Sequence, residues 1–260
     1  MQDCRQYVAA CCRGTTVAAL LVAGPIAALA QATPAGIANG AIPSPSLGAH
    51  TLLTQSEGLG ASPAVTAPLT TQPHGSSLIV FNGGYSSNAA GPRDRYGNRW
   101  KQLGNDVPFG NGYGDRFNVK AYVALDAKGG PGHTVSFAKD GNATGEISIP
   151  FIEIRHAGVL RDVSQNYAPT GLQLTSGNVT TTGPATLIAV WWGDGGVKRM
   201  TAVPNNGFAV IESYLTLPDN SGVQCAVAYK QVAAAGTYNV SWTGAPVQGA
   251  ILWLLAFQSK

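Results

Sequence analysis

Charge is scarce in this 260-residue chain: Asp, Glu, Lys and Arg make up 11% of it, and the formal net charge is +3. A nucleic-acid surface needs a dense basic face, so no nucleic-acid partner is expected. Neither half of the chain carries a long stretch of helical apolar periodicity. The marks of catalysis are also missing. There is no Gly-x-Ser-x-Gly elbow and no phosphate loop, and His133 and His156 lack metal-ligand spacing. Glu146 and Glu153 lie on one apolar stretch at an odd separation, so a strand turns them to opposite faces and they cannot act as a glycosidase pair. No enzyme activity and no catalytic cofactor are expected. Cysteine is limited to Cys4, Cys11, Cys12 and Cys225.

The apolar run from Thr15 to Ala30 follows Arg5 and Arg13 and closes on Ala28-Leu29-Ala30 before Gln31. This is the layout of a secretory signal. The run is shorter than the ~20 residues of a spanning helix and holds Gly24 and Pro25. Residues 1–30 are therefore expected to be a signal peptide, which places the protein outside the cytoplasm (extracellular, periplasmic or at the cell surface). No stable membrane insertion is expected after cleavage. Cleavage would leave Cys225 alone, so no internal disulfide is expected, and Cys225 reads as a small buried hydrophobe.

What is plentiful is Gly (33), Pro (16) and apolar residues (45%). That composition suits short strands joined by many turns around a real core. Residues 31–48 read as a flexible Ala/Pro/Gly/Ser lead-in, and residues 49–260 as one β domain. Two stretches look like copies: Gly75-Ser-Ser-Leu-Ile-Val-Phe-Asn-Gly-Gly84 and Gly183-Pro-Ala-Thr-Leu-Ile-Ala-Val-Trp-Trp-Gly193. Downstream, Ala121-Tyr122 matches Ala228-Tyr229, Val135-Ser-Phe137 matches Val240-Ser-Trp242, and Ile147–Ile154 matches Ala250–Phe257. The expected fold is all-β, a two-sheet antiparallel sandwich of jelly-roll-like order, built from two related halves near 49–155 and 156–260. Strand 116–125 is expected to be half-exposed, residues 155–183 to link the halves with short strands at 170–174 and 178–182, and one of Trp191 and Trp192 to leave the core.

The run Asp94-Arg-Tyr-Gly-Asn-Arg-Trp100 resembles the Asp-x-x-Gly-Asn-x-Trp signature of a group of secreted bacterial β-sandwich domains, similar to carbohydrate-binding and concanavalin-like sandwiches. The resemblance implies fold and secretion and brings no assigned activity. Read physically, Gly97-Asn98 marks a tight turn that Asp94 can brace with backbone N–H bonds. The alternative is a structural Ca²⁺ site using the oxygens of Asp94 and Asn98, although Ca²⁺ takes 6–8 oxygens. A sugar site needs aromatic faces beside polar groups. Tyr85, Tyr96, Trp100, Phe109 and Tyr113 are the candidates, with Arg95 and Arg99 adding positive charge suited to an acidic polymer. The expected function is non-catalytic binding of a carbohydrate or cell-surface polymer by a secreted β-sandwich. The alternative is a self-associating structural or surface protein (coat or appendage), and a polysaccharide-active enzyme stands third.

Overall fold

The structure is a computed structural model that describes residues 42–85, 91–109, 117–193, 198–219 and 221–260. Among them there is no helix, and the order is sixteen strands. The first half holds β1 (Ser46–Gln55), β2 (Ala64–Val65), β3 (Ser76–Tyr85), β4 (Arg93–Asp94), β5 (Lys101–Pro108), β6 (Phe117–Ala127), β7 (Val135–Phe137) and β8 (Ile147–Arg155). The second holds β9 (Val159–Thr175), β10 (Val179–Thr181), β11 (Ala185–Gly193), β12 (Thr201–Pro204), β13 (Ala209–Tyr214), β14 (Cys225–Val232), β15 (Gly236–Tyr238) and β16 (Ser241–Gln258). All pairing is antiparallel.

Two large sheets carry the fold. The first runs β1-β8-β3-β6-β5, and the second runs β9-β16-β11-β14-β13, with β12 beside the N-terminal end of β16. Strand for strand, these are the same order. In the first half β2, β7 and β4 form a small outer sheet; in the second β10 pairs β15. The first half thus places β1, β8, β3, β6 and β5 in its large sheet and β2, β7 and β4 in its small one, an all-β, sandwich-like arrangement.

The side chains sort into three apolar clusters. Ile79, Phe81, Val119, Ile152, Val190, Trp192, Trp253 and Phe257 meet between the two large sheets. Leu78, Val80, Tyr122, Ile149, Phe151 and Phe137 fill the first half behind its large sheet. Leu187, Ala189, Trp191, Leu252, Leu254 and Trp242 do the same in the second. Alternate residues of each central strand thus enter different clusters, and both faces of each large sheet are buried. That is why the central strands read as continuous apolar runs. It also corrects two expectations. Strand β6 is buried on both faces instead of half-exposed. Trp191 and Trp192 do point oppositely, yet both are buried, one in the second-half core and one between the sheets.

Further corrections follow from the pairing. The lead-in ends earlier than residue 48, because β1 begins at Ser46 and Pro45 O accepts a bond from Thr186 Oγ1 at 2.9 Å. The expected linking stretch 155–183 is mostly β9, a 17-residue strand on the edge of β16. Between β8 and β9 the chain needs only residues 156–158 to pass from one half to the other.

The registers test the proposed copies residue by residue. Ile79 pairs with Ile152 as Ile188 pairs with Leu255, so the match of Ile147–Ile154 to Ala250–Phe257 is the structural one. In the outer layers, Thr66 N donates to Val135 O and Val135 N to Thr66 Oγ1, both at 2.9 Å. Ser176 repeats this with Val240, at 2.9 and 3.2 Å. The Ala-Tyr match slips by one. Val80 faces Tyr122, whereas its counterpart Ala189 faces Ala228. Tyr122 therefore enters the first-half core while Tyr229 packs toward the inter-sheet core, since one residue of slip changes the face.

The halves meet reciprocally. His50 Nδ1 of β1 lies 2.7 Å from Glu212 Oε1 of β13 at one margin. At the other, Gln165 Nε2 of β9 donates to Asn105 O of β5 at 3.3 Å. Strands 1 and 5 of each half thus touch strands 5 and 1 of the other, which is the pattern of a two-fold interface. Near its centre the symmetry breaks. Gly83 and Trp192 are equivalent positions, and a Cβ at Gly83 would overlap the six-membered ring of Trp192.

Candidate functional site

The Asp94 loop joins β4 to β5. Its side chain accepts Tyr96 N on Oδ1 at 2.7 Å, Asn98 N on Oδ2 at 3.2 Å, Asn98 Nδ2 on Oδ1 at 3.2 Å and Trp100 Nε1 on Oδ2 at 2.6 Å. His133 Nε2 stands 3.5 Å from Oδ1. Asn98 also brackets Lys128, donating to its carbonyl at 2.9 Å and accepting its N–H on Oδ1 at 2.8 Å. Burial pushes the Asp94 carboxyl up, but the facing His133 ring and hydrogen bonds from Trp100, Tyr96 and Asn98 outweigh that and hold it below its ordinary value. The side-chain oxygens of Asp94 and Asn98, expected either to brace the turn or to hold Ca²⁺, all face N–H donors here and brace the turn. Among the described residues no group of three or more His, Cys, Asp or Glu is placed to hold a metal ion.

Among the described residues, Tyr96, Trp100 and Phe109 of the predicted aromatic cluster do not assemble as one surface. Trp100 packs against the first-half core. Tyr96 sets its ring edge-on to His133 at 4.8 Å and donates its hydroxyl to Pro131 O at 2.8 Å. Phe109 is buried in the inter-sheet core, away from both. Arg95 and Arg99 are exposed, with Arg95 Nη1 donating to Gly132 O at 3.3 Å. Tyr85 ends β3, and Tyr113 lies outside the described residues.

Phe109 leads to a place that sequence reasoning missed. At one end of the inter-sheet core is a cavity of about 200 Å³. Phe109, Phe117 and Glu146 wall it from the first half, and Leu217, Val223 and Gln224 from the second. Lys198 and Asp219 stand at its edge, Nζ to Oδ1 at 3.0 Å. Glu146 is 8% exposed. Strand alternation turns it toward this space and turns Glu153 the other way, as their spacing requires. Glu153 is fully buried and satisfied: it accepts Ala49 N at 3.0 Å, Gln72 N at 2.7 Å and Ser76 Oγ at 2.7 Å, with Arg155 Nε at 3.5 Å.

Glu146 has a different partner. Its carboxyl hydrogen-bonds that of Glu57, in the turn after β1. Such a bond needs one proton between two carboxyl groups. Burial and the neighbouring Glu57 push Glu146 up to about 7, while the bond to Glu146 leads the effects that hold Glu57 below its ordinary value. Glu146 is the donor and Glu57 the acceptor. Asn142 Nδ2 donates to Glu57 Oε1 at 3.1 Å. Lys139 Nζ sits nearby, donating to Gly145 O at 2.7 Å and Ala143 O at 3.1 Å. Burial lowers the Lys139 pKa, and the two carboxylates partly offset this. No local pattern announces Glu57 beside Glu146; only the β1–β8 pairing brings their ends together.

No protein-family model, curated protein or solved structure matches the chain.

Proposed function

We propose that this protein is a secreted, non-catalytic β-sandwich that binds carbohydrate, with the sugar seated in the cavity between its halves. The observation that carries the reading is the joining of Phe109 and Phe117 with Glu146 and Gln224 around one small cavity. An aromatic and aliphatic wall suits the C–H face of a sugar ring, and a carboxyl beside an amide suits its hydroxyls. The volume lies below the ~300–1,000 Å³ of drug-sized sites, so the fit is to a single ring or a chain end. Hydrolysis is disfavoured because Glu57 and Glu146 are in hydrogen-bond contact, whereas glycosidase carboxylates stand ~5 Å or more apart. Export rests on the N-terminal 30 residues and their secretory layout. Calorimetric titration with neutral mono- and oligosaccharides tests the reading. Saturable binding that Phe117→Ala weakens at least tenfold is expected, and failure of every sugar to bind would sink it.

A second reading is self-association as a structural surface protein. Leu172, Val203 and Val247 are 59%, 58% and 49% exposed on the neighbouring strands β9, β12 and β16. Apolar side chains grouped this way favour a contact surface. Sedimentation across a range of concentrations decides it: a strict monomer removes this reading.

A further inference from the structure

Among the described residues, one polar wall of the cavity is incomplete. Glu146 Oε2 is buried and meets no N–H donor among the described residues. Its neighbour is a second carboxyl, that of Glu57. Lys139 Nζ favours both carboxylates by its charge, but its hydrogen bonds go to the carbonyls of Ala143 and Gly145. The other cation at the cavity, Lys198, pairs with Asp219 at the edge. Two carboxyl groups this close hold together only while a positive centre sits between them. In the second half the position of Glu146 is Gly249, so the pair is peculiar to one side of the molecule.

We propose that the cavity selects sugars bearing a protonated amine, with the ammonium seated against Glu57 and Glu146 in place of the proton that joins them. The inference takes its ligand class from the sugar-binding reading above, but its selectivity rests on the carboxyl pair alone. An ammonium brings one positive charge and several N–H donors, so it can donate to both carboxylates at once. Phe109 and Phe117 then cover the apolar face of the ring. A neutral sugar leaves the shared proton where it is. A uronic acid brings a third carboxylate to the wall and is rejected.

Exchange of a proton for an ammonium makes binding depend on pH. The groups facing the pair are Lys139 from the turn after β7, Asn142 from the same turn, and the Lys198–Asp219 pair at the cavity edge. Below about pH 7 the ligand must displace the proton on Glu146, so affinity rises with pH, by up to ~10-fold per unit. Above that the gain stops, because the proton has already left, and affinity falls again once the sugar's own amine loses its proton, in the range of ~7.7–8.0 typical of an α-amino group.

The test is calorimetric titration of the full chain with glucosamine, glucose, glucuronate and ethylamine between pH 6 and 8, in buffers of differing ionisation heat. Glucosamine is expected to bind at least ~10-fold tighter than glucose, a difference of about 1.4 kcal/mol, and to release close to one proton at pH 6. Glu146→Gln, or Glu57→Gln if the first variant does not fold, is expected to erase the difference between the two sugars. Equal affinity for glucosamine and glucose, or glucosamine binding without proton release, overturns this inference and leaves sugar binding standing. Binding of ethylamine with no sugar bound upholds the ammonium seat and removes the sugar reading. No binding of any of the four removes both.

Discussion

The two halves share a strand order and differ in what fills the turns. After β4 the first half uses Asp94 through Trp100 to reach β5, and Asp94 ties that loop with four N–H bonds. At the matching place the second half uses Asn206-Gly207, both at positive φ, and goes directly to β13. Trp100 and Phe208 then plug equivalent places in the two cores. Before β8 the first half has the Lys139–Glu146 turn, whereas the second runs straight through as β16. The sheets tolerate little change because both faces are buried, so difference gathers in the loops at the ends.

The largest break in the comparison is at Gly83 and Trp192. Trp192→Ala should cost about 4 kcal/mol in urea unfolding, because the ring fills the inter-sheet core. Gly83→Ala should cost about 2–3 kcal/mol by overpacking against that ring. A neutral Gly83→Ala would show that the halves do not interlock there. Next comes the turn pair. Asp94→Ala strands several N–H donors and should cost about 3 kcal/mol, against about 1 kcal/mol for Asn206→Ala in its simpler turn. Equal losses would mean that the Asp94 loop carries no special structural burden.

A smaller effect separates the halves by pH. The Glu146 pKa is raised on folding to about 7, so its contribution to stability is full below its unfolded value and is lost as pH rises through about 7. With solvent screening, the loss should be about 1 kcal/mol, and Glu146→Gln should flatten melting temperature between pH 5 and 8. Asp94 runs the other way. Its pKa is lowered, so its contribution is present above its unfolded value near ~4 and fades as pH falls through the lower folded value. The smallest expected effect is a likeness: Thr66→Ala and Ser176→Ala should each cost about 0.5–1 kcal/mol, since each hydroxyl accepts the same outer-layer N–H. Unequal losses would weaken the equivalence of the outer strands.

The sheet strands were legible because a buried β-run is written locally, as in Leu78–Phe81 and Leu187–Trp192. So was the match between the long strands β8 and β16, each carrying a long apolar run. The Ala-Tyr match misled because two residues cannot report which face they show. Within residues 155–183 only the end of β9, near 170–174, and β10, near 178–182, were legible, because the rest of β9 has a polar, edge-exposed outer face. The cavity stayed hidden for a different reason. Glu57, Glu146 and Gln224 lie far apart in sequence, and nothing near each one encodes its meeting with the others. Phe109 was picked as an aromatic on a loop; it follows β5 directly and stands in the cavity wall.

The meeting of Gly83 with Trp192 has a consequence for assembly. A bulky ring on one side and an empty place on the other make the two halves a hand and a glove, each ill-suited to its own duplicate. Two first halves would face glycine with glycine and leave a void; two second halves would collide ring on ring. Severed at residues 156–158, the fragments should therefore recombine one to one and refuse like partners. The short tether between them acts as a guarantee of stoichiometry as much as a link.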